Sequence, residues 1–237
     1  QRQMCIRDSI KTGLGKRIAY NLISAFGSSS LRLAYALALS DLILAPATPS
    51  NTARVGGVIM PITTSLAKAF GSEPQDGPRK IGSFLMQSIY QVNTITSAMF
   101  QTSMAGNTLV AALALQSFGI GITWGDWAMA AIVPGIIALI IMPYFIYKVY
   151  PPEIKDAREA QQMVREELKG LGKMSFQEWI MLGVFILALV LWATSQFTKL
   201  DATTVAFLGI SILLATGVLI WDDVKSEKGA WDTLGLL

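Results

Sequence analysis

Histidine is absent from the 237 residues, cysteine occurs once, and only 15% of the chain is charged. The missing histidine excludes histidine general bases, histidine metal ligands and Ser-His-Asp chemistry within this chain. The single thiol, Cys5, allows neither an internal disulfide nor a thiolate cluster. The formal charge of +3 is small, and the cations flank apolar runs, so nothing resembles a nucleic-acid footprint. Apolar residues fill the chain instead, at 52% with a mean hydropathy of +0.48, outside the range of a soluble domain. Apolar runs near the ~20-residue spanning length recur, which makes the fold class an all-α membrane protein.

The opening residues 1–9 fit neither a signal peptide nor a span and read as a non-native leader. The chain starts on Gln1, and a new apolar run from Trp231 stops at Leu237, so both ends read as cut. Residues 10–27 place Ile10, Leu14, Ile18, Leu22 and Ile23 at helical spacing among Lys11, Lys16 and Arg17, the pattern of an amphipathic helix on a membrane surface.

Residues 28–71 hold two apolar limbs, each too short to span comfortably, around the polar stretch Ala45-Pro46-Ala47-Thr48-Pro49-Ser50-Asn51-Thr52. Arg32 and Lys68 lie equally far from Ser50, which suits a hairpin with both bases at one face. Two ordinary spans would leave Asp41 and Arg54 in hydrocarbon at a cost of roughly 2.5–3.5 kcal/mol each. A re-entrant hairpin packed inside protein avoids most of that penalty, because irregular backbone at membrane depth is tolerated where it lines a cavity or is buried.

A polar linker, 71–80, precedes a discontinuous transmembrane helix over 81–119. Gln87, Gln91, Thr94, Ala98 and Gln101 fall at spacings of three and four, giving a polar or small seam for the protein interior or a water path. The stretch Thr102-Ser103-Met104-Ala105-Gly106-Asn107-Thr108 breaks the helix, since glycine and asparagine disfavour helix interiors. Spans follow at 123–150, 177–198 and 202–221, with a charged helical arm at 151–175. The arm's Lys155, Arg158, Arg165, Lys169 and Lys173 place it in the cytoplasm by the positive-inside rule. Residues 222–237 then form a cytoplasmic segment and the start of another span.

At the hairpin tip, Pro46 and Pro49 have no N–H to give the carbonyls of Leu42 and Ala45. Free carbonyls at a helix C-terminus suit a small cation such as Na⁺. Ser50 is placed to cap the second limb, whose first N–H groups, with the Asn51 amide and Thr52 hydroxyl, suit a carboxylate. Without histidine, a thiolate or paired carboxylates beside it, this tip fits binding and release rather than bond chemistry. Counted from Ser50, Asp41 and Arg54 differ in depth by about 7–8 Å. Three roles for Arg54 therefore stand open: a pair with Asp41, positive potential beside an anion site, or a snorkelling structural cation.

The run Leu44 to Gly57 resembles the divalent anion:sodium symporter family, on the branch of citrate/succinate and tartrate/succinate antiporters and plastid 2-oxoglutarate/malate translocators. Ser103 to Asn107, Tyr150 to Lys155, Leu200 to Val205 and Trp221 to Asp232 extend the resemblance over 10–237. It implies an inverted-repeat secondary transporter, of which this chain holds the first repeat and the start of the second, since no second Ser-Asn-Thr occurs. It implies elevator-type transport of di- or tricarboxylates (succinate, malate, 2-oxoglutarate, citrate) across the inner, or plasma, membrane by a homodimer. Substrate carboxylates are assigned to Ser50, Asn51 and Thr52, with Asn107 and Thr108 at the break. A sodium site is assigned to Ser50, Asn51, Ser103 and Gly106, Na⁺ being the only cofactor or metal the resemblance suggests. Arg54 and Asp41 are given an electrostatic role. Sodium-coupled members usually carry serine at the position of Pro46 and often glycine at that of Ser103. Those two departures leave anion exchange open beside Na⁺ symport. The competing readings are an inorganic-anion transporter or channel and, further off, an intramembrane enzyme using Asp41 and Asp126.

Overall fold

The computed structural model describes residues 12–48 and 50–225. The expectations for 1–9, for the first two residues of the 10–27 helix, for the fold at Pro49 and for 226–237 lie outside the described residues. Among the described residues the chain is helical, with no β-strand. Three helical stretches are long and apolar enough to cross a membrane: Ser30–Ala47, Trp124–Val149 and Phe176–Ala193. The first is 61% buried inside the protein and the other two only 22%. That contrast separates an apolar stretch packed against protein from two whose side chains face outward.

Helix α1 (Leu14–Phe26) packs against α2 (Ser30–Leu44), which Ser29 caps by accepting the Arg32 N–H at 3.4 Å. Beyond α2 come a 3₁₀ turn, Ala45–Ala47, the extended residue Thr48, and then Ser50. The second limb is continuous: α3 (Asn51–Arg54), a π-helical turn (Val55–Ile59) and α4 (Met60–Ala69). The π turn sits just before Pro61, which has no N–H for the ladder, and π turns of this kind gather at functional sites. Both limbs pack on α5 (Gly82–Met99). Buried Leu33, Leu37, Ile62, Leu66, Phe84, Leu85 and Ile89 fill the space among them. Hydroxyls within these limbs and α5 donate to carbonyls one turn back, Ser40 to Ala36, Thr63 to Ile59 and Ser88 to Phe84, which satisfies them without water.

Residues 100–104 are not helical, and α6 (Ala105–Phe118) starts after them. The break therefore precedes Gly106-Asn107, which lie in the first turn of α6. A long helix, α7 (Trp124–Val149), covers α5 and part of α2. Its Gly135 admits the Met99 side chain, which a Cβ there would meet at 2.5 Å. Helices α8 (Arg158–Gly170), α9 (Phe176–Ala193), α10 (Ser195–Thr198), α11 (Ala202–Ala215) and α12 (Trp221–Lys225) complete the order. Asp201 caps α11 by accepting from the N–H groups of Thr203 and Thr204, each at 2.9 Å. The Thr204 hydroxyl and N–H hold the Asp201 carboxyl below its ordinary range.

The expectation for α1 needs correction. Its apolar face, with Leu14, Ala19, Tyr20 and Ile23 buried, is covered by protein rather than left to a membrane surface. The charged arm supplies the cover: α8 lays Ala160 and Val164 against α1, and the Gln161 amide donates to the Ser24 carbonyl at 2.7 Å. Amphipathic spacing alone does not distinguish lipid from a second amphipathic helix as the partner. The Gln87–Gln91–Thr94–Ala98 seam is not the face that this chain buries. Gln87, Thr94 and Ala98 are exposed and Gln91 is half-buried, while Ser88, Thr96, Ser97 and, in the joint, Gln101 turn inward. The buried polar face of α5 is rotated from the one its glutamines mark.

Arg17 fastens the arm. Its guanidinium pairs with Glu178 at 2.6 Å and donates to the carbonyls of Gly172 at 2.9 Å and Leu171 at 3.3 Å. Backbone hydrogen bonds then knit the bases of α2, α5 and the arm: Ser30 N–H to Lys155, Ala157 N–H to Ser28, Ile154 N–H to Lys80 and Glu153 N–H to Arg79. Replacing Arg17 by methionine keeps much of the stem but leaves Glu178 and the carbonyls without their donor. A loss of about 1.5–3 kcal/mol is expected, read as a lower melting temperature in detergent. An unchanged melting temperature would remove the clamp from this account.

Candidate functional site

The hairpin tip and the break in the α5–α6 stretch meet around one side chain, Arg54. It is 1% exposed, and its Nε lies 2.7 Å from Asp41 Oδ1, itself 1% exposed. Nη1 reaches the carbonyls of Thr48 at 3.2 Å and Ser103 at 3.5 Å. Nη2 lies 3.0 Å from Asn93 Oδ1, 3.2 Å from Thr96 Oγ1 and 3.1 Å from Ser97 Oγ. Thr96 in turn donates to the second Asp41 oxygen, Oδ2. The guanidinium is thus enclosed by oxygens from the first limb, from the turn, from α5 and from the 100–104 joint. Its planar fork of five donors fits such a set in a way that a lysine ammonium cannot.

Of the three roles left open for Arg54, the structure forms the direct pair. The 7–8 Å offset came from counting from Ser50. Residues between α2 and α3 run from Ala45 to Ser50, so the turn's midpoint falls between Ala47 and Thr48. Asp41 and Arg54 are equally far from that midpoint, one turn inside each limb.

The tip carbonyls also differ from expectation. The Ala45 carbonyl is not free: the 3₁₀ turn returns the Thr48 N–H to it at 3.3 Å. The Thr48 hydroxyl donates to the Leu44 carbonyl at 2.7 Å, and the Thr102 hydroxyl to the Pro46 carbonyl at 2.6 Å. The tightened turn thus supplies the Ala45 carbonyl with a donor, and two threonine hydroxyls hold the neighbouring carbonyls of Leu44 and Pro46.

Ser50 caps α3 by accepting the Ala53 N–H at 3.4 Å. Asn51 is half-buried and Thr52 exposed, with Asn51 Oδ1 2.9 Å from the Thr52 N–H and 3.5 Å from its hydroxyl. Of the side chains assigned to substrate, Asn51 and Thr52 are therefore accessible, while the nearby Arg54 is sealed. At the joint, Asn107 is 5% exposed, and its amide donates to the carbonyls of Ser97 at 2.7 Å and Phe100 at 2.8 Å. Ser103, fully buried, directs its hydroxyl to the same two carbonyls. Both residues close the C-terminal end of α5, whose last carbonyls have no helical partner. Thr108 is half-buried and donates to the Ala105 carbonyl at 2.9 Å; Gly106 is half-buried.

Asp41 is committed to Arg54 and Thr96, and Asp126 to the capping box at the start of α7 with Thr123, with Gln196 donating to it at 2.8 Å. The two carboxylates named for the enzyme reading thus hold separate structural posts. Asn93, Thr96, Ser97 and Thr48, which enclose Arg54, were not singled out from sequence. The signal available was an asparagine, a threonine and a serine within five residues of a helix otherwise apolar on that face. A cavity of about 210 Å³ lies on another side of the tip, between Leu44, Pro46, Ala47, Thr48, Thr102, Thr108 and apolar side chains of α1, α9 and α11; Asn51 and Thr52 do not line it.

The family described as the sodium:sulfate symporter transmembrane region matches residues 5–237. The chain is 53% identical over 229 residues to the "Putative malate transporter YflS" of Bacillus subtilis, covering 96% of this chain and 48% of that protein. It is 48% identical over 225 residues to the inner membrane protein YbhI of Escherichia coli, covering 95% and 47%. It is 47% identical over 229 residues to the chloroplastic dicarboxylate transporter 1 of Spinacia oleracea, covering 96% and 40%. The chain spans about half the length, or less, of the curated relatives it matches.

Proposed function

We propose, from the premise that this chain belongs to the sodium:sulfate symporter family and is a multi-pass membrane protein, that the protein it spans exchanges di- or tricarboxylates across the inner membrane without needing Na⁺. The names of the relatives, malate and dicarboxylate transporters, support the substrate class. The observation that carries the coupling is the enclosure of Arg54. Six oxygens, from Asp41, Thr48, Ser103, Asn93, Thr96 and Ser97, lie within 3.5 Å of its guanidinium nitrogens. A ring of carbonyl, amide, hydroxyl and carboxylate oxygens is what a hard monovalent cation would need, and here a tethered cation fills it. A Na⁺ ion on the Ser103 carbonyl would sit against that guanidinium. In this reading Arg54, at the Ser103 carbonyl, serves as a built-in cation in place of the sodium assigned to Ser50, Asn51, Ser103 and Gly106.

Substrate binding stays with Ser50, Asn51 and Thr52. Asn51 and Thr52 are accessible at the start of the second limb, where N–H groups and dipole favour a carboxylate. Asn107 takes a supporting part, holding the joint, and Thr108 faces the neighbouring cavity. In this reading the hairpin is re-entrant and its base, the arm and the Asp222–Lys225 segment are cytoplasmic. The complete protein is an inverted-repeat homodimer in which hairpin and broken helix move together in an elevator-type step.

The test is uptake by the full-length protein in liposomes. Labelled succinate, malate, 2-oxoglutarate and citrate are expected to enter, at least one of them well above sulfate. Asn51→Ala is expected to lower that uptake at least about tenfold, the effect of losing one hydrogen bond to a charged group. Sulfate uptake exceeding every carboxylate would favour the inorganic-anion reading. Full uptake by the Asn51 variant would remove the tip from the site.

A further inference from the structure

The tip is held from a second side, away from Arg54. Trp124 opens α7 with its indole 8% exposed, and its Nε1–H donates to Thr102 Oγ1 at 3.0 Å. Thr102, equally buried, donates to the Pro46 carbonyl at 2.6 Å. An indole nitrogen only donates, so the Thr102 proton is directed to Pro46, and the chain Trp124 to Thr102 to Pro46 has one polarity. The Trp124 ring stacks with Phe100 at 5.7 Å and with Trp192 at 6.2 Å, each at 17°. Trp192 donates to the Ala202 carbonyl at 3.3 Å, at the start of α11. The Pro46 and Thr102 side chains line the 210 Å³ cavity, whose other walls are mostly apolar. No neighbouring apolar side chain there can replace the donor if the Pro46 carbonyl loses Thr102.

We propose that Thr102 and Trp124 are positioning residues for the carboxylate site: they fix the Pro46 carbonyl and so set where Ser50, Asn51 and Thr52 are presented. This rests on the carboxylate-transport reading for its kinetic consequence, not for the latch itself. Arg54 holds the tip directly at the Thr48 carbonyl while also reaching the Ser103 carbonyl of the joint, and Trp124 holds it through Thr102 at the Pro46 carbonyl, two residues away. Tip, joint and the first turn of α7 then form one unit, in which a displacement of the tip must alter the surroundings of one indole.

The test uses the full-length protein and four variants: Thr102→Val, Trp124→Phe, their combination, and Thr102→Ser. Valine removes the hydroxyl at nearly constant volume, phenylalanine removes the N–H while keeping an aromatic ring in the stack, and serine restores the hydroxyl. Each of the first two is expected to raise KM for labelled succinate, or the best carboxylate found, about tenfold with Vmax within about twofold. The double variant is expected to be no worse than the worse single variant, because both remove the same hydrogen-bond chain. Thr102→Ser should return KM to within about twofold of the parent.

A readout independent of transport accompanies it. Ala47→Cys, in a background without other cysteines, is expected to react with a maleimide several-fold faster when Thr102→Val or Trp124→Phe is added, and at the parent rate with Thr102→Ser. Unchanged labelling, or KM effects that multiply in the double variant, would overturn the latch. If no carboxylate is transported at all, the proposed function fails, whereas accelerated and non-additive Ala47→Cys labelling would still uphold the latch.

Discussion

Arg54→Ala is expected to be the most damaging single substitution at the hairpin. The change removes a guanidinium that is fully buried and leaves the Asp41 carboxylate, 1% exposed, without its counter-charge. Breaking a buried pair from one side costs about 3–5 kcal/mol, a large part of a protein's net stability. The Asn93, Thr96 and Ser97 side chains and the Thr48 and Ser103 carbonyls lose a shared donor in the same step. Uptake should fall to background, and the melting temperature in detergent should drop sharply.

One companion variant and one exchange of salt separate charge from architecture. Asp41→Leu combined with Arg54→Met removes both charges and is expected to melt nearer the parent than Arg54→Ala does, since an apolar pair of similar volume costs less than an orphaned charge. Transport should not recover, because the tip has lost its tie to the joint. Arg54→Ala alone leaves an oxygen-rich space beside a carboxylate. Its melting temperature is therefore expected to rise when choline is exchanged for Na⁺, while the parent's stays constant. Parent-like uptake and melting by Arg54→Ala would show that the enclosure has no role.

Much of this was legible in the sequence, and particular residues show why the rest was not. The all-α character and apolar spans follow from composition and run length, which need no tertiary information. Ser50 as a cap is a local matter, decided by a residue type and the helix after it. The Arg54–Asp41 pair depended on where the turn is centred, and a 3₁₀ turn at Ala45–Ala47 moves that centre about two residues from Ser50. The face of α5 that this chain buries went unmarked because glutamines are conspicuous, whereas Thr96 and Ser97 are small and pass for apolar positions in a span. Asn107 was assigned to substrate through the family resemblance alone; the structure gives its amide to the Ser97 and Phe100 carbonyls. Partners chosen across 40 or more residues, as Thr102 chooses Pro46 and Arg54 chooses Ser103, have no local signal.

The second large effect concerns coupling. If Arg54 is the resident cation of this half of the site, a Na⁺ gradient has no vacancy here to act on, and the driving force is a carboxylate on the other side. The most direct measurement loads liposomes carrying the full-length protein with unlabelled succinate, malate, 2-oxoglutarate or citrate, whichever is transported best. Initial uptake of the labelled anion is then followed in Na⁺-containing and in Na⁺-free, choline-based buffer. The account predicts rapid uptake into loaded vesicles, at equal rates in the two buffers, and little into empty ones. Uptake that needs an inward Na⁺ gradient and proceeds equally into empty vesicles would contradict it.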